Sequence, residues 1–254
     1  MGRSGPSELR RDLVLANRIA HATGLVTVFG HVSARLPGSD SFLIPTRSSP
    51  ALASPERLLL MDLEGAVLEG EGTPNSEFWI HARIYAARPD VGAVAHVHPP
   101  GCVVLSQLGE TVRPLHNSAA ALGAVPVYEP VGLIRSRELG DRVAGVLGSS
   151  RAMLLRGHGA NAVAADVRQA AVLACFLEEG AQLQMRALAA AGGDPSRLRF
   201  YDPLEQRLVA GQIDAAGPLA RVWEYYSAVA SGELGAWADA GSGLRGAASR
   251  RAPK

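Results

Sequence analysis

The sequence has few of the residues that stabilise disulfide-rich domains or cross membranes. Cys102 and Cys175 are its only cysteines, and they lack the C-x-x-C spacing of a redox or zinc motif. Each lies in or after an apolar run, so both are predicted to be buried, inert thiols. No apolar stretch approaches the roughly 20 residues that span a bilayer. The first eight residues lack the apolar segment of a secretory signal. We therefore expect a soluble, cytoplasmic protein with no membrane partner.

An excess of charge of one sign is also absent. The formal net charge is +1, and the basic residues, almost all of them arginines, are scattered along the chain. Such a chain offers no extended positive surface, which argues against a nucleic-acid partner. No G-x-G-x-x-G motif follows a predicted strand and no Walker loop is present, which argues against nucleotide cofactors. Aromatic residues make up only 5% of the chain, while small and aliphatic residues are abundant, as is typical of closely packed helices and sheet.

The length favours one domain. A chain of 254 residues suffices for one sizeable α/β domain and is marginal for two. Predicted strands and helices alternate without a regular βαβ rhythm, which favours a single layered domain over residues 1–239. Residues 240–254 are mostly Gly, Ala, Ser and Arg with little to bury, and they are predicted to be disordered.

Hydrophobic periodicity and capping residues locate the main elements. A helix that Ser76 caps is predicted to run to about residue 87, and a longer one that Asp166 caps to about residue 190. Residues 26–36 are predicted to form a pair of strands, whereas residues 194–216 are predicted to be irregular.

The most informative segment is V-G-A-V-A-H-V-H-P-P, which ends at Pro100. On a strand, residues two apart point to the same face, so His96 and His98 are predicted to project side by side while Val97 points into the core. Two imidazoles in that arrangement can bind one metal at about 2 Å. The pair alone leaves open a second interpretation, in which both rings only form hydrogen bonds at a strand end.

A third histidine strengthens the metal interpretation. In L-L-R-G-H-G-A-N, His158 lies in a predicted turn between two apolar strands, and the flanking glycines allow the backbone to bend closely. A strand-end pair supplies two ligands, and His158 supplies the third. Three protein ligands leave a coordination position open, which is the condition for a catalytic metal rather than a structural one.

Glu77 is the natural fourth group. It lies in the first turn of a predicted helix, where the helix dipole favours an ionised carboxylate by ~0.3–1 kcal/mol. It could bind the metal or act as a general acid or base. A purely helix-stabilising role is the alternative. His81 shares a helix face with Glu77, and we interpret it as a core or surface histidine.

These segments together resemble those of the class II aldolase/adducin family over roughly residues 8–200. The motifs, in chain order, are G-H-V-S at 30–33, N-S-E at 75–77, H-V-H at 96–98 and G-H-G at 157–159. The resemblance implies a three-layer α/β/α fold around a largely antiparallel central sheet. It also implies a homotetramer with active sites near the subunit interfaces.

The resemblance assigns roles to the same residues. His96, His98 and His158 match the positions that bind one divalent metal ion, which in the family is Zn, Mn, Co or Fe(II). Glu77 matches the catalytic acid/base, which can also be a metal ligand. Because all four are present, the chain resembles the enzymes of the family more than a non-catalytic, adducin-like interaction protein.

Departures from the aldolase pattern point to another substrate. His31 stands where sugar-phosphate aldolases carry Asn, and Arg47 follows Thr46 where they carry Gly. A guanidinium there suits a planar carboxylate better than a phosphate. A surface arginine and a purely structural histidine remain the alternatives. The residues expected to bind substrate are Gly30, His31, Arg47, Asn75 and Ser76.

His116 is the second candidate for proton transfer, beside Glu77. Many aldolases of the family carry a tyrosine directly after the matching histidine, whereas this chain has Asn117. The departure puts retro-aldol protonation in doubt. His116 or Glu77 is therefore expected to protonate the carbon atom that loses its substituent.

The combined pattern predicts a metal-dependent lyase with a small-molecule carboxylate substrate. The favoured reaction is decarboxylation of a small hydroxylated aromatic acid, such as a dihydroxyphthalate-like diacid. The alternatives are an aldolase that cleaves a carbon–carbon bond of a small hydroxy-carbonyl compound, and the adducin-like interaction protein. Three histidines would also suit an Fe(II) oxygenase.

Overall fold

One eight-stranded sheet forms the centre of this protein, in a computed structural model that describes residues 6–233. The strands β1 to β8 are His31–Arg35, Ser41–Pro45, Leu58–Asp62, Val67–Glu69, Ala93–Val97, Val127–Tyr128, Ala152–Leu155 and Gly159–Ala164. Within those described residues, the helices α1 to α8 are Pro6–Ala22, Phe78–Ala87, Pro100–Gln107, Asn117–Ala120, Arg137–Leu147, Val167–Ala190, Pro203–Ile213 and Ala216–Ser231.

The strand order in the sheet is β4-β3-β2-β1-β5-β8-β7-β6. Neighbouring strands are antiparallel except for β6 and β7, which are parallel. Helices α1, α3 and α6 pack with one face of the sheet, and α2 and α5 pack with the other. The predicted three-layer α/β/α fold around a largely antiparallel sheet is therefore confirmed.

The longest helix, α6, covers the middle of the sheet on the first face. The side chain of Asp166 caps it by accepting a hydrogen bond from the backbone N–H of Gln169 at 2.9 Å, as predicted. The strands beneath α6 present small side chains, which let the helix approach closely without leaving voids. These buried residues are Ala93, Ala95, Ala160, Ala162 and Ala164.

Helix α2 begins later than predicted, and Ser76 is not its cap. Glu77 is the N-cap residue, and its side chain makes no capping hydrogen bond. The reason is local: a turn closed by the Phe78 N–H and the Asn75 carbonyl precedes the helix, and the Glu77 carboxylate bonds elsewhere. Ser76 therefore lies in this turn, and Glu77 occupies the N-cap position instead.

Two further predictions about elements are wrong. Only His31–Arg35 of the predicted strand pair over 26–36 is a strand, because the Val26 N–H bonds to the Ala20 carbonyl and folds the segment back on α1. The segment 194–216 contains α7, which starts at a capping box of Asp202 and Glu205. No residue of α7 is buried, so hydrophobic periodicity could not indicate it.

Three sequence predictions concern composition and the chain terminus. Cys102 and Cys175 are free thiols and both are buried, as predicted. None of the helices in residues 6–233 combines the length and apolar character that a membrane-spanning helix requires. The predicted disordered segment 240–254 lies outside the described residues.

Truncating the core beneath α6 is expected to destabilise the protein. Leu173→Ala removes a fully buried side chain and leaves a cavity, so the free energy of unfolding should fall by about 2–5 kcal/mol. Leu204→Ala on α7, where the side chain is 69% exposed, is the matched control and should change it by less than about 0.5 kcal/mol. Urea unfolding followed by circular dichroism measures both, and equal effects would contradict the described packing of α6.

Candidate metal centre

The end of β5 and the turn between β7 and β8 bring three histidines together. His96 is the fourth residue of β5 and points to the α2 side of the sheet, while Val97 points into the opposite core, as predicted. His98 follows the strand, and its backbone N–H donates to the Leu25 carbonyl at 2.9 Å. His158 lies in the turn. A Cβ at Gly159 would lie 2.3 Å from the Val97 carbonyl oxygen, so only glycine lets the turn approach β5 so closely.

The side chains converge within a single small volume. The Nε2 atoms of His96 and His98 are 3.1 Å apart. The Glu77 carboxylate oxygen Oε2 lies 3.5 Å from Nε2 of His158 and 3.9 Å from Nε2 of His96. The four ligand atoms all lie within 4.8 Å of one another. Tetrahedral ligands at about 2 Å from a zinc ion lie roughly 3.3 Å apart, so one ion fits with little adjustment.

The chemistry of the donor set also fits a divalent metal. Both ring nitrogens of His158 are buried, and neither has a hydrogen-bond partner within the described part of the chain. Buried polar atoms are usually satisfied, and an unpartnered imidazole nitrogen that faces a carboxylate and two more imidazoles is typical of a metal ligand. The arrangement suits zinc, manganese, cobalt or iron, which accept mixed nitrogen and oxygen ligands.

Asn161 orients the first of these histidines. It pairs with His96 in the register of β5 and β8, and its Oδ1 lies 2.8 Å from Nδ1 of His96. Because an amide oxygen only accepts, the imidazole donates from Nδ1, which leaves the lone pair of Nε2 directed at the cluster. Hydrogen bonds of this kind fix the tautomer and raise the basicity of a metal ligand.

Glu77 is held as a carboxylate. Burial raises its pKa, but His158, His96 and the backbone N–H of Ile134, which donates to Oε1 at 2.8 Å, together hold that pKa well below its usual range. The side chain is therefore ionised at neutral pH. One oxygen is anchored by Ile134 and the other faces the histidines, so the group can bind a metal or accept a proton.

His31 and Gly30 lie against the same cluster. The rings of His31 and His96 are 5.3 Å apart between centroids. Burial lowers the pKa of His31 to about 4, against the smaller opposing effect of Glu77, so the imidazole is neutral at pH 7. Gly30 has φ +112°, and a Cβ there would lie 2.5 Å from Cγ1 of Val26, so this position requires glycine for backbone reasons.

The other predicted substrate-binding residues lie on a neighbouring loop. The backbone N–H of Arg47 donates to the Thr73 carbonyl at 2.9 Å, which places this loop beside the Asn75–Ser76 segment. The Arg47 side chain is exposed, and Asn75 and Ser76 are half-buried. Asn75 also lies close enough to His31 to affect its pKa through a side-chain hydrogen bond.

His116 is not part of the cluster. It is the N-cap residue of α4, and its Nε2 lies 3.7 Å from Oε2 of Glu179 on α6. Among the described residues, no contact links it to the four-residue cluster. The turn that carries it packs on Gly180, where a Cβ would lie 2.8 Å from Cγ1 of Val112 and 3.8 Å from Cε1 of His116. The following residue, Asn117, accepts a hydrogen bond from the Tyr201 hydroxyl at 2.8 Å.

Sequence reasoning missed a polar network behind His31. His81 and Tyr85 of α2 are fully buried and bond, directly and through Ser33 of β1, to His31. The spacing of Glu77, His81 and Tyr85 at four-residue intervals was the available signal, because it places all three on one face of α2. Nothing in the sequence indicated the partner strand.

The fold and the cluster define a class of enzyme that is built on a three-layer α/β/α domain with a divalent-metal centre. The sequence profile of the Class II Aldolase and Adducin N-terminal domain matches residues 11–185. The 3,4-dihydroxyphthalate decarboxylase of Rhodococcus jostii (strain RHA1) is 33% identical over 193 residues, covering 70% of this chain and 79% of that protein. The L-fuculose phosphate aldolase of Escherichia coli (strain K12) is 34% identical over 162 residues, covering 63% of this chain and 74% of the aldolase.

A solved structure agrees with these relatives. An aldolase II superfamily protein from Pseudomonas syringae superposes with a TM-score of 0.77 at 25% sequence identity, covering 92% of this chain and 96% of that one. The chain belongs to the class II aldolase and adducin family, in its decarboxylase-like branch. Like the decarboxylases and aldolases it resembles, it is a carbon–carbon lyase.

Removing the hydrogen bond to His96 is expected to weaken metal binding. Asn161→Leu keeps a similar volume but leaves Nδ1 of His96 without an acceptor, so zinc affinity should fall by about 10- to 100-fold. Val163→Ala, on the same face of β8 and two residues along, is the matched control. Competition with a chromophoric chelator measures the affinity. An unchanged zinc affinity in Asn161→Leu would count against Asn161 as the orienting group.

Proposed function

We propose that this chain is a divalent-metal-dependent decarboxylase of a small hydroxylated aromatic diacid of the dihydroxyphthalate kind. The observation that carries the proposal is the position of a neutral, buried His31 beside an intact cluster of three histidines and Glu77. The 33% identity to 3,4-dihydroxyphthalate decarboxylase supports the same reaction class. The proposal includes Zn, Mn, Co or Fe(II) as the metal, a cytoplasmic location and a homotetramer with active sites near its interfaces.

His96, His98 and His158 would hold the ion, which when bound would act as a Lewis acid toward negative charge on the substrate. The protein's own groups do the remaining work. His31, which is neutral, donates a hydrogen bond to an anionic oxygen of the substrate. Arg47, on the loop beside Asn75 and Ser76, binds the carboxylate that is retained, for which a guanidinium is well shaped. The buried walls formed by β1, β5 and α2 exclude water from the reacting carbon.

Glu77 carries the proton in this scheme. Because its carboxylate is ionised, it first takes the proton of a substrate hydroxyl and then returns it to the ring carbon as the bond to CO₂ breaks. The electron pair of that bond passes into the ring and then to the new carbon–hydrogen bond. The substrate oxygen that lost its proton regains one from solvent. His116 of the same chain lies against α6, which favours Glu77 for this role.

An aldolase is the second candidate, and the 34% identity to L-fuculose phosphate aldolase supports it. Two residues argue against it. Arg47 replaces the small residue expected in a phosphate-binding loop, and Asn117 replaces the expected tyrosine. A non-catalytic, adducin-like role is disfavoured because a scaffold has no need for four converging ligand groups, two of which, His96 and Glu77, are oriented by hydrogen bonds.

Product analysis separates the two reactions. With zinc or manganese added, the protein is expected to release CO₂ from hydroxylated aromatic 1,2-diacids and to release no aldehyde from sugar-phosphate aldols. Removing the metal with a chelator should abolish the CO₂ release, and adding the metal back should restore it. Aldehyde release without CO₂ would establish the aldolase instead, and full activity in the chelator would exclude a metal-dependent reaction.

Neutralising Glu77 is expected to slow the reaction while the metal site survives. Glu77→Gln keeps the size of the side chain and removes its ability to carry a proton, so kcat should fall by about 10²- to 10⁴-fold. Steady-state kinetics and metal content are measured together, since the variant must still contain metal for the result to concern proton transfer. Glu64→Gln, an exposed carboxylate on the surface, is the control. A kcat for Glu77→Gln close to that of the control would exclude this role.

A further inference from the structure

A continuous chain of buried hydrogen bonds leads from α2 to the back of His31. The Tyr85 hydroxyl lies 2.7 Å from Oγ of Ser33, which lies 2.6 Å from Nδ1 of His81. Nε2 of His81 lies 2.6 Å from Nδ1 of His31. Ser33 and His81 are fully buried, and Tyr85 and His31 are almost so. Four polar side chains are thus joined end to end, away from solvent.

The tyrosine sets the direction of this chain. Among the residues that the structure describes, Ser33 is the one side chain to which the Tyr85 hydroxyl bonds. Burial raises the pKa of Tyr85 above its usual value, so the hydroxyl keeps its proton. The hydroxyl proton is therefore directed at Ser33.

The remaining directions follow from the donor and acceptor capacity of each group. Ser33 accepts from Tyr85, so its own proton goes to Nδ1 of His81. A neutral imidazole that accepts at one nitrogen donates at the other, so His81 donates from Nε2 to Nδ1 of His31. His31 must then carry its proton on Nε2. The reverse arrangement would leave the buried Tyr85 hydroxyl proton without an acceptor, which folded proteins avoid.

The His31 ring lies against the metal centre, with its centroid 5.3 Å from that of His96. Its Nδ1 is engaged by His81, which leaves Nε2 as the ring nitrogen that can meet a substrate. We propose that Tyr85, Ser33 and His81 are positioning residues that hold His31 as a neutral Nε2–H donor, directed at an anionic oxygen of the substrate. The identity of that oxygen, a carboxylate or phenolate, rests on the proposed function.

This arrangement gives a physical reason for His31 at the position where sugar-phosphate aldolases of the family carry asparagine. An asparagine there would donate from its own amide without help from α2. A histidine can present either a donor or a lone pair, and a lone pair would repel an anionic substrate. The chain through His81 and Ser33 removes that choice, because it fixes which nitrogen carries the proton.

The test is the tautomer of His31, which nitrogen-15 NMR of histidine-labelled, zinc-loaded protein reports directly. The His31 signal is assigned by its loss in His31→Asn. In the unaltered protein we expect Nε2 to be protonated and Nδ1 to be bare. Tyr85→Phe and Ser33→Ala interrupt the series of hydrogen bonds at two separate points, so each should give a mixture of tautomers. Phe42→Leu, which alters packing 5.3 Å from the Tyr85 ring between centroids, is the matched control and should not.

Each departure from this pattern has a definite meaning. A proton on Nδ1 of His31 in the unaltered protein would overturn the proposal. So would an unchanged tautomer in both Tyr85→Phe and Ser33→Ala. The same mixture in Phe42→Leu would show that packing, and not the hydrogen-bonded chain, fixes the ring, and this would also overturn it.

Kinetics separate this proposal from the proposed function. With a hydroxylated aromatic diacid, Tyr85→Phe should raise KM by about three- to tenfold and leave kcat nearly unchanged, as expected when one hydrogen bond to the substrate is weakened. A changed tautomer with an unchanged KM would overturn the role toward the substrate. A changed tautomer in a protein that decarboxylates none of these diacids would support the positioning chain and refute the proposed function.

Discussion

The pairing register of three central strands places the site. His31 of β1 lies opposite His96 of β5, and His96 lies opposite Asn161 of β8, so the three side chains stand in a row on one face. A shift of one residue would turn His96 toward α6 and leave an alanine or valine facing the metal centre. The alternate residues prevent this shift, because Ala95 and Val97 are fully buried in the opposite core. Apolar burial on one face of the sheet therefore fixes which side chains face the metal centre on the other.

Helix α2 completes the site from above the sheet. Its N-cap residue, Glu77, reaches the histidines, while His81 and Tyr85, one and two turns later, reach β1. Helix α2 and its N-cap residue thus carry both a group that faces the cluster and the polar groups behind His31. The concentration of buried polar atoms is tolerable because nearly all of them bond to one another. Among the described residues of the site, Nδ2 of Asn161 and both ring nitrogens of His158 lack partners, and a metal would supply one to His158.

Short-range patterns in the sequence predicted a layered α/β domain and the convergence of the three histidines, whereas the three-layer α/β/α fold and the place of Glu77 in the site came from the family resemblance. The alternation of side chains on a strand placed His96 beside His98, and glycines marked the turn at His158. Long-range contacts were not predictable. His81 meets His31 across 50 residues of sequence, and nothing local distinguishes it from a surface histidine. Ser76 failed as a cap for a similar reason, since the distant Ile134 draws the Glu77 side chain away from the helix.

The bond from Ile134 to Glu77 comes from the main chain, and this has an evolutionary consequence. Every amino acid except proline supplies the same N–H, so substitutions at position 134 cannot delete the anchor of the carboxylate. The segment before α5 can then diverge in sequence, and adapt its side chains to new substrates, while the Glu77 carboxylate keeps its orientation. A family that has diversified in its reactions would benefit from fixing its most sensitive group in this way.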